Sequence, residues 1–110
     1  MARGQAAHPR KDVKRFSVLT REAEADLADA FAWYEQQASR LGHEFLEVTE
    51  DLFLRIAENP WLYQEVDYGV RRALTQRFPY AVYYLPEDET VVVLAILHQA
   101  RDPDHWTRRL

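Results

Sequence analysis

Arg71, Arg72 and Arg77 sit in the stretch RRALTQRFPYAVYY (71–84), among residues otherwise suited to a buried sheet. Guanidinium groups are almost never buried without a counter-charge, so these are candidates for holding an anion. Two chemistries fit. Paired N–H donors can grip an RNA phosphate, with Arg71, Arg77 and Arg101 neutralising charge and His98 moving a proton. The same donors can grip a protein carboxylate, with Tyr80 and Trp106 supplying the aromatic area common at interface cores. Aromatics beside arginine also stack on single-stranded bases. The binding set is thus Arg71, Arg77, Tyr80, Arg101 and Trp106. The catalytic alternative is Arg71, Arg77, His98 and Arg101.

Other chemistries find less support. With no cysteine there is neither a thiolate metal site nor a disulfide framework. His98, Asp102 and His105 could converge at a strand end, but histidines so placed are more often structural, and no metal or cofactor is expected. Gly4, Gly42 and Gly69 are isolated, so there is no phosphate loop, and neither Ser17 nor Ser39 lies on a glycine-flanked turn. Carboxylates abound in the helical segments, yet face away from the apolar stripe, where nothing would separate their pKa values.

The elements that must position these residues follow from periodicity. FSVLT (16–20) is a short strand, and Thr20 is the N-cap of a helix over 22–39 with Ala23, Leu27, Ala30, Phe31, Tyr34 and Ala38 on one face. Gly42 is the expected turn residue. A second helix over 43–58 carries Phe45, Val48, Leu52 and Ile56 and stops at Asn59-Pro60. Helices joined so closely pack as an antiparallel hairpin, with Trp33, Tyr34, Phe45 and Phe53 expected in its core. WLYQEVDYG is a connecting loop. Strands follow over 70–78, 80–85 and 90–98, the last apolar on both faces as a covered central strand must be. Alternation puts Tyr80, Val82 and Tyr84 on one face, and Ala81, Tyr83 and Leu85 on the other. Arg71 and Arg72 likewise face opposite ways. Asp102 and Pro103 open a short last helix. The expected fold is α+β: an N-terminal strand, a helical hairpin on a small antiparallel sheet and a short C-terminal helix.

A chain of 110 residues is one domain. Residues 1–15 are polar, aperiodic and basic, and are expected to be a disordered tail before a domain over 16–110. The formal charge of −4 divides unevenly: +4 in residues 1–15 and −8 in the remainder. Acids from Glu22 to Glu58 make one region acidic, while arginines from 71 onward make another locally basic. No apolar run approaches the ~18 residues of a membrane span, and the start lacks the apolar centre of a secretory signal. The expected compartment is the cytoplasm.

The segments DLADAFAWYEQQASRLGHEFL, IAENPWLY, VRRALTQRFPYAVYY and VVVLAILHQARDPDHW together resemble the toxins of type II toxin–antitoxin systems in the RelE/ParE superfamily, over about residues 16–109. RelE-type members are ribosome-dependent mRNA endonucleases. Their proposed general-base tyrosine corresponds here to Trp106, their middle-strand arginine to Ala81, and their basic rRNA-gripping helix to an acidic one. An acidic body is a poor phosphate binder. The paired long helices, FPY and RDP..W resemble the ParE branch more closely. That resemblance implies inhibition of DNA gyrase by binding rather than catalysis. It also implies a co-encoded antitoxin that wraps the toxin in a hetero-oligomer, adding a helix and a strand. Arg71, Arg72 and Arg77 would then hold antitoxin carboxylates. The alternatives are a RelE-like ribonuclease acting on the ribosome and its mRNA, and a non-toxic interaction module of the same fold.

Overall fold

Thr20 turns the chain from strand to helix. It stays extended, with φ −65° and ψ 165°, and its hydroxyl accepts the Ala23 N–H at 3.1 Å, the N-cap arrangement expected from sequence. The computed structural model describes residues 15–100 and 105–110. In chain order the elements are β1 (Phe16–Leu19), α1 (Arg21–Gln37), α2 (Leu41–Glu58), β2 (Gln64–Asp67), β3 (Val70–Leu74), β4 (Tyr80–Pro86), β5 (Thr90–His98) and a 3₁₀ turn (His105–Arg109). The sequence assigned Arg15 to the tail, but its side chain is buried and Nη1 donates to Ala57 O at the end of α2. Asp102 and Pro103, expected to open the last helix, lie outside the described residues.

The hairpin depends on a close helix approach. Arg40, at φ 71°, makes the reversal expected of Gly42. Gly42 instead lies in the first turn of α2, where a Cβ would stand 2.5 Å from Phe31 O and 2.9 Å from Glu35 Oε1. Its role is to let two backbones meet. Glu35 reaches across from α1 and accepts the Arg40 N–H at 3.0 Å and the Gly42 N–H at 2.8 Å, supplying the cap that Arg40 cannot. Those two N–H groups, the Arg40 one foremost, together with His43, hold the Glu35 carboxyl below its ordinary value.

The five strands form one sheet in the order β1-β5-β4-β3-β2. It is mixed rather than wholly antiparallel: β1 runs parallel to β5, because the two intervening helices carry the chain back before the sheet resumes. One face packs on the hairpin through Ala73, Val82, Tyr84, Val91, Val93 and Ile96, against Tyr34, Phe45, Leu52 and Ile56. The other buries Val70, Ala81, Tyr83, Leu94, Ala95 and Leu97 with Trp106. β5 is therefore covered on both faces, as its composition requires, and the tyrosines of β4 divide as alternation predicts.

Two assignments change. The segment 61–69 is not a plain loop, because β2 pairs with β3 through a two-residue turn at Tyr68 (φ 52°) and Gly69 (φ 79°). Paired positive φ values are the hairpin geometry that matches strand twist. Tyrosine stands where Asn or Asp usually signals such a turn, and the exposed β2 lacks apolar alternation. β3 ends at Leu74 rather than at 78. The Thr75 hydroxyl donates to Phe78 O (2.7 Å) with Tyr80 O at 3.1 Å, and Arg77 adopts φ 70°, so residues 75–79 form a turn.

Gly42→Ala should destabilise the fold by about 1–3 kcal/mol, because the new methyl meets backbone that cannot move alone. Denaturant unfolding beside the exposed Glu47→Ala, expected within about 0.5 kcal/mol of the parent, checks this. Glu35 adds a pH signature. Its folded pKa lies below the 4.5 of a free carboxyl, so its stabilisation is complete above that value and is lost as pH falls below it. Unfolding curves of the parent and Glu35→Gln should be well separated near about pH 6 and draw together as the pH falls below 4.5.

Candidate functional site

The described residues singled out by sequence are dispersed over four places. Arg71 lies on the helix-facing side of β3, opposite Tyr84 in register, whereas Arg72 is on the far side and exposed. The Arg71 Nη1 donates to Tyr63 O at 2.6 Å and Trp61 O at 3.3 Å, its Nη2 stands 3.8 Å from Glu65, and its guanidinium carbon lies 5.3 Å from the Trp61 ring centre. Beside it the Tyr84 hydroxyl donates to Pro60 O at 2.6 Å. Burial pushes the Tyr84 phenol well above its ordinary value, which the neighbouring Arg71 only partly offsets, so it stays a donor. Arg71 and Tyr84 together pin segment 60–63 to the sheet. Arg77 leaves the strand altogether and pairs with Glu44 of α2 at 2.8 Å, with its guanidinium 5.0 Å over Phe78. That exposed pair contributes about 0.2–1 kcal/mol.

Trp106 is on the opposite side of the sheet. It is 4% exposed and stacks on Tyr83, with ring centres 5.5 Å apart and planes 20° apart. Its indole is committed to packing. Arg101 lies outside the described residues.

Tyr80 and His98 do come together. They are register partners whose ring centres lie 5.3 Å apart, and His98 Nδ1 accepts the Ala100 N–H at 3.1 Å. Both line a cleft of about 740 Å³ between α1 and the last third of β5. Asp26, Asp29, Ala30, Trp33 and Tyr34 form its helix wall, and Ile96 and Leu97 lie on its strand side. Trp33, expected in the hairpin core, is 55% exposed here, because it falls at the border of the helix stripe and overhangs the cleft. Burial and the neighbouring Tyr80 raise the pKa of Tyr34, keeping that hydroxyl protonated.

The cleft exists because β1 stops at Leu19, opposite Val93, while β5 continues to His98. Beyond Val93 the strand bulges: Tyr84 pairs with Val93 and Tyr83 with Ala95, leaving Leu94 unmatched. The open edge is closed by an ion pair that sequence inspection passed over. Arg109 grips Asp26 bidentately, Nη1 to Oδ2 at 2.6 Å and Nη2 to Oδ1 at 3.1 Å. Nη1 also donates to Leu94 O at 3.0 Å, and Oδ2 accepts the Ile96 N–H at 2.9 Å. Asp26 looked like one more solvated helical acid. Its signal was position, three residues after Ala23 and four before Ala30 on the buried stripe.

Among the described residues no group of three or more histidine and carboxylate side chains could hold a metal ion. Nor is any described helix long and apolar enough to cross a membrane.

A strand, a helical hairpin and a mixed five-stranded sheet with this connectivity define a fold class shared with solved toxin–antitoxin structures. One is the chromosomal ParDE TA system from P. aeruginosa, at 18% identity and TM-score 0.56, covering 77% of this chain and 96% of that one. Another is the toxin–antitoxin complex RelBE2 from Mycobacterium tuberculosis, at 20% identity and TM-score 0.54, covering 81% and 95%. A comparison with curated protein sequences returned no match. Residues 18–103 match the family described as ParE toxin of type II toxin-antitoxin system, parDE. The chain belongs to that family, within the RelE/ParE superfamily.

Breaking the Asp26–Arg109 pair should cost about 3 kcal/mol, because removing one partner strands the other beside an unsatisfied strand edge. That is the lower end of the range for buried pairs, since the two side chains keep 14% and 15% of their exposure. Chemical unfolding of Arg109→Met and Asp26→Asn checks the figure. The double variant should lose clearly less than the sum of the singles.

Proposed function

We propose that this protein is a growth-inhibiting toxin that acts by binding a target, with DNA gyrase as the candidate its family implies, and that a co-encoded antitoxin neutralises it in the cytoplasm. The observation that carries this reading is the placement of its cations. Arg71 and Arg77, the best candidates for a phosphate cradle, are engaged by carbonyls and carboxylates of their own chain. The open cleft beside His98 is lined by Asp29, whose charge no described cation offsets, as well as by the Arg109-paired Asp26, so a phosphate would meet negative charge there. Binding toxicity needs no such cradle. The antitoxin is supported by the matched family and by the two neighbours, both described as toxin–antitoxin assemblies.

Induced expression of the chain alone in a bacterial host should arrest growth with filamentation and intact mRNA. The purified protein should inhibit gyrase supercoiling, and co-expression of the neighbouring antitoxin gene should restore growth. Rapid ribosome-dependent mRNA cleavage would replace this reading with the ribonuclease. Soluble expression without arrest would leave an interaction module of the same fold.

A further inference from the structure

The α1–β5 cleft has two carboxylates on its helix wall. Four of its wall residues, Asp26, Asp29, Ala30 and Trp33, recur at three and four along α1 and so share one face. Asp26 is already neutralised by Arg109. Asp29 is exposed and has no cation within ion-pair distance among the described residues. Trp33 follows it by four residues, which on a helix sets the carboxylate and the indole side by side, with Cβ atoms about 5–6 Å apart. A carboxylate next to a half-exposed tryptophan face is the arrangement that takes a guanidinium, ion-paired at one end and stacked on the ring. Pro79 and Trp33, both exposed in the lining, offer apolar surface for the residues flanking such a group.

We propose that this cleft receives an arginine side chain, flanked by apolar residues, from the antitoxin segment that covers the toxin. The inference rests on the antitoxin reading above and adds the chemistry of one contact. It reverses the expected polarity: the toxin offers the carboxylate and the partner the guanidinium. Charge complementarity favours this occupant, because residues 16–110 carry a net −8 and the cleft's own histidine is an acceptor at Nδ1. An acidic peptide would be repelled.

The test has two arms. In the first, acetyl-Leu-Arg-Leu-amide is titrated into the ¹⁵N-labelled full chain. The Trp33 indole N–H and the His98 amide should shift with saturation below about 10 mM, the weak range a single contact allows. Affinity should fall at least about fivefold in Asp29→Asn and with citrulline in place of arginine, because only the charge and fork are lost. Absence of shifts, or equal affinity in Asp29→Asn, overturns the proposal. Binding seen only after removal of residues 2–14, or only in Arg101→Ala, would assign the cleft to the chain's own arginines and also overturn it. So would concentration-dependent dimerisation that Asp29→Asn abolishes.

In the second arm, Asp29→Asn and Trp33→Ala should each weaken the complex with the co-encoded antitoxin at least about tenfold, while the distant Glu47→Gln leaves it unchanged. A complex indifferent to both cleft variants sinks this inference and spares the antitoxin reading. Peptide binding without any antitoxin complex sinks the antitoxin reading and, with it, the source this inference names for the arginine.

Discussion

The ion pair between Asp26 and Arg109 joins three parts of the fold, the first helix, the last turn and the end of β5. Asp26 belongs to the first helix, Arg109 to the last turn, and both reach the backbone of β5 where its outer neighbour has ended. A strand that outlasts its partner presents bare N–H and C=O groups, which water must solvate or another chain will pair. Here a carboxylate takes the N–H of Ile96 and a guanidinium takes the C=O of Leu94, so the pair acts as a short surrogate strand. The bulge at Leu94 gives the edge the shape those side chains fit. Position of α1, register of β5 and docking of the C-terminal turn thereby become one constraint.

The arginines follow a related logic. Arg71 looked like a binding residue because a half-buried guanidinium in a strand needs a counterpart. The counterpart turned out to be two carbonyls of an irregular segment, Trp61 and Tyr63, held from the other side by the Tyr84 hydroxyl. Segments without ladder partners must find their hydrogen bonds elsewhere, and arginine is the side chain with most donors to give. Arg77 serves the turn between β3 and β4 in a lesser way, tying it to α2. Charge that seemed reserved for a partner is used inside the chain. What Arg71 and Arg77 leave for the outside is Arg72 and the exposed acids of the hairpin.

Much of the architecture was legible because period and caps agreed with burial. Thr20 announced α1, Asn59-Pro60 closed α2, and the apolar run of β5 required cover on both faces. β2 escaped because both of its signals were disguised, a tyrosine at a left-handed turn position and a charged strand at a sheet edge. Gly42 misled because a glycine between two helices reads as a turn, while its purpose was contact between helices. The cleft was half visible. Tyr80 and His98 were named for their chemistry, but their wall of Asp29 and Trp33 depends on where β1 ends relative to β5. Arg71 and Trp106 could not be sorted from sequence, since an arginine engaged by backbone and one awaiting a ligand have the same local pattern.

The parallel pairing of β1 with β5 also bears on how the molecule comes into being. The Thr20 hydroxyl meets Leu94 O across 74 positions of chain, and Arg109 meets Asp26 across 83. On a ribosome that adds about 5–20 residues each second, β1 and the hairpin emerge seconds before β5, the strand that lies between β1 and the rest of the sheet and supplies part of the hairpin's cover. Their apolar stripe stays uncovered through that interval, and the closing contacts form only when the last residues are free. The finished fold therefore arrives late and all at once. A chain that has not yet made β5 has its helices but no partner for β1.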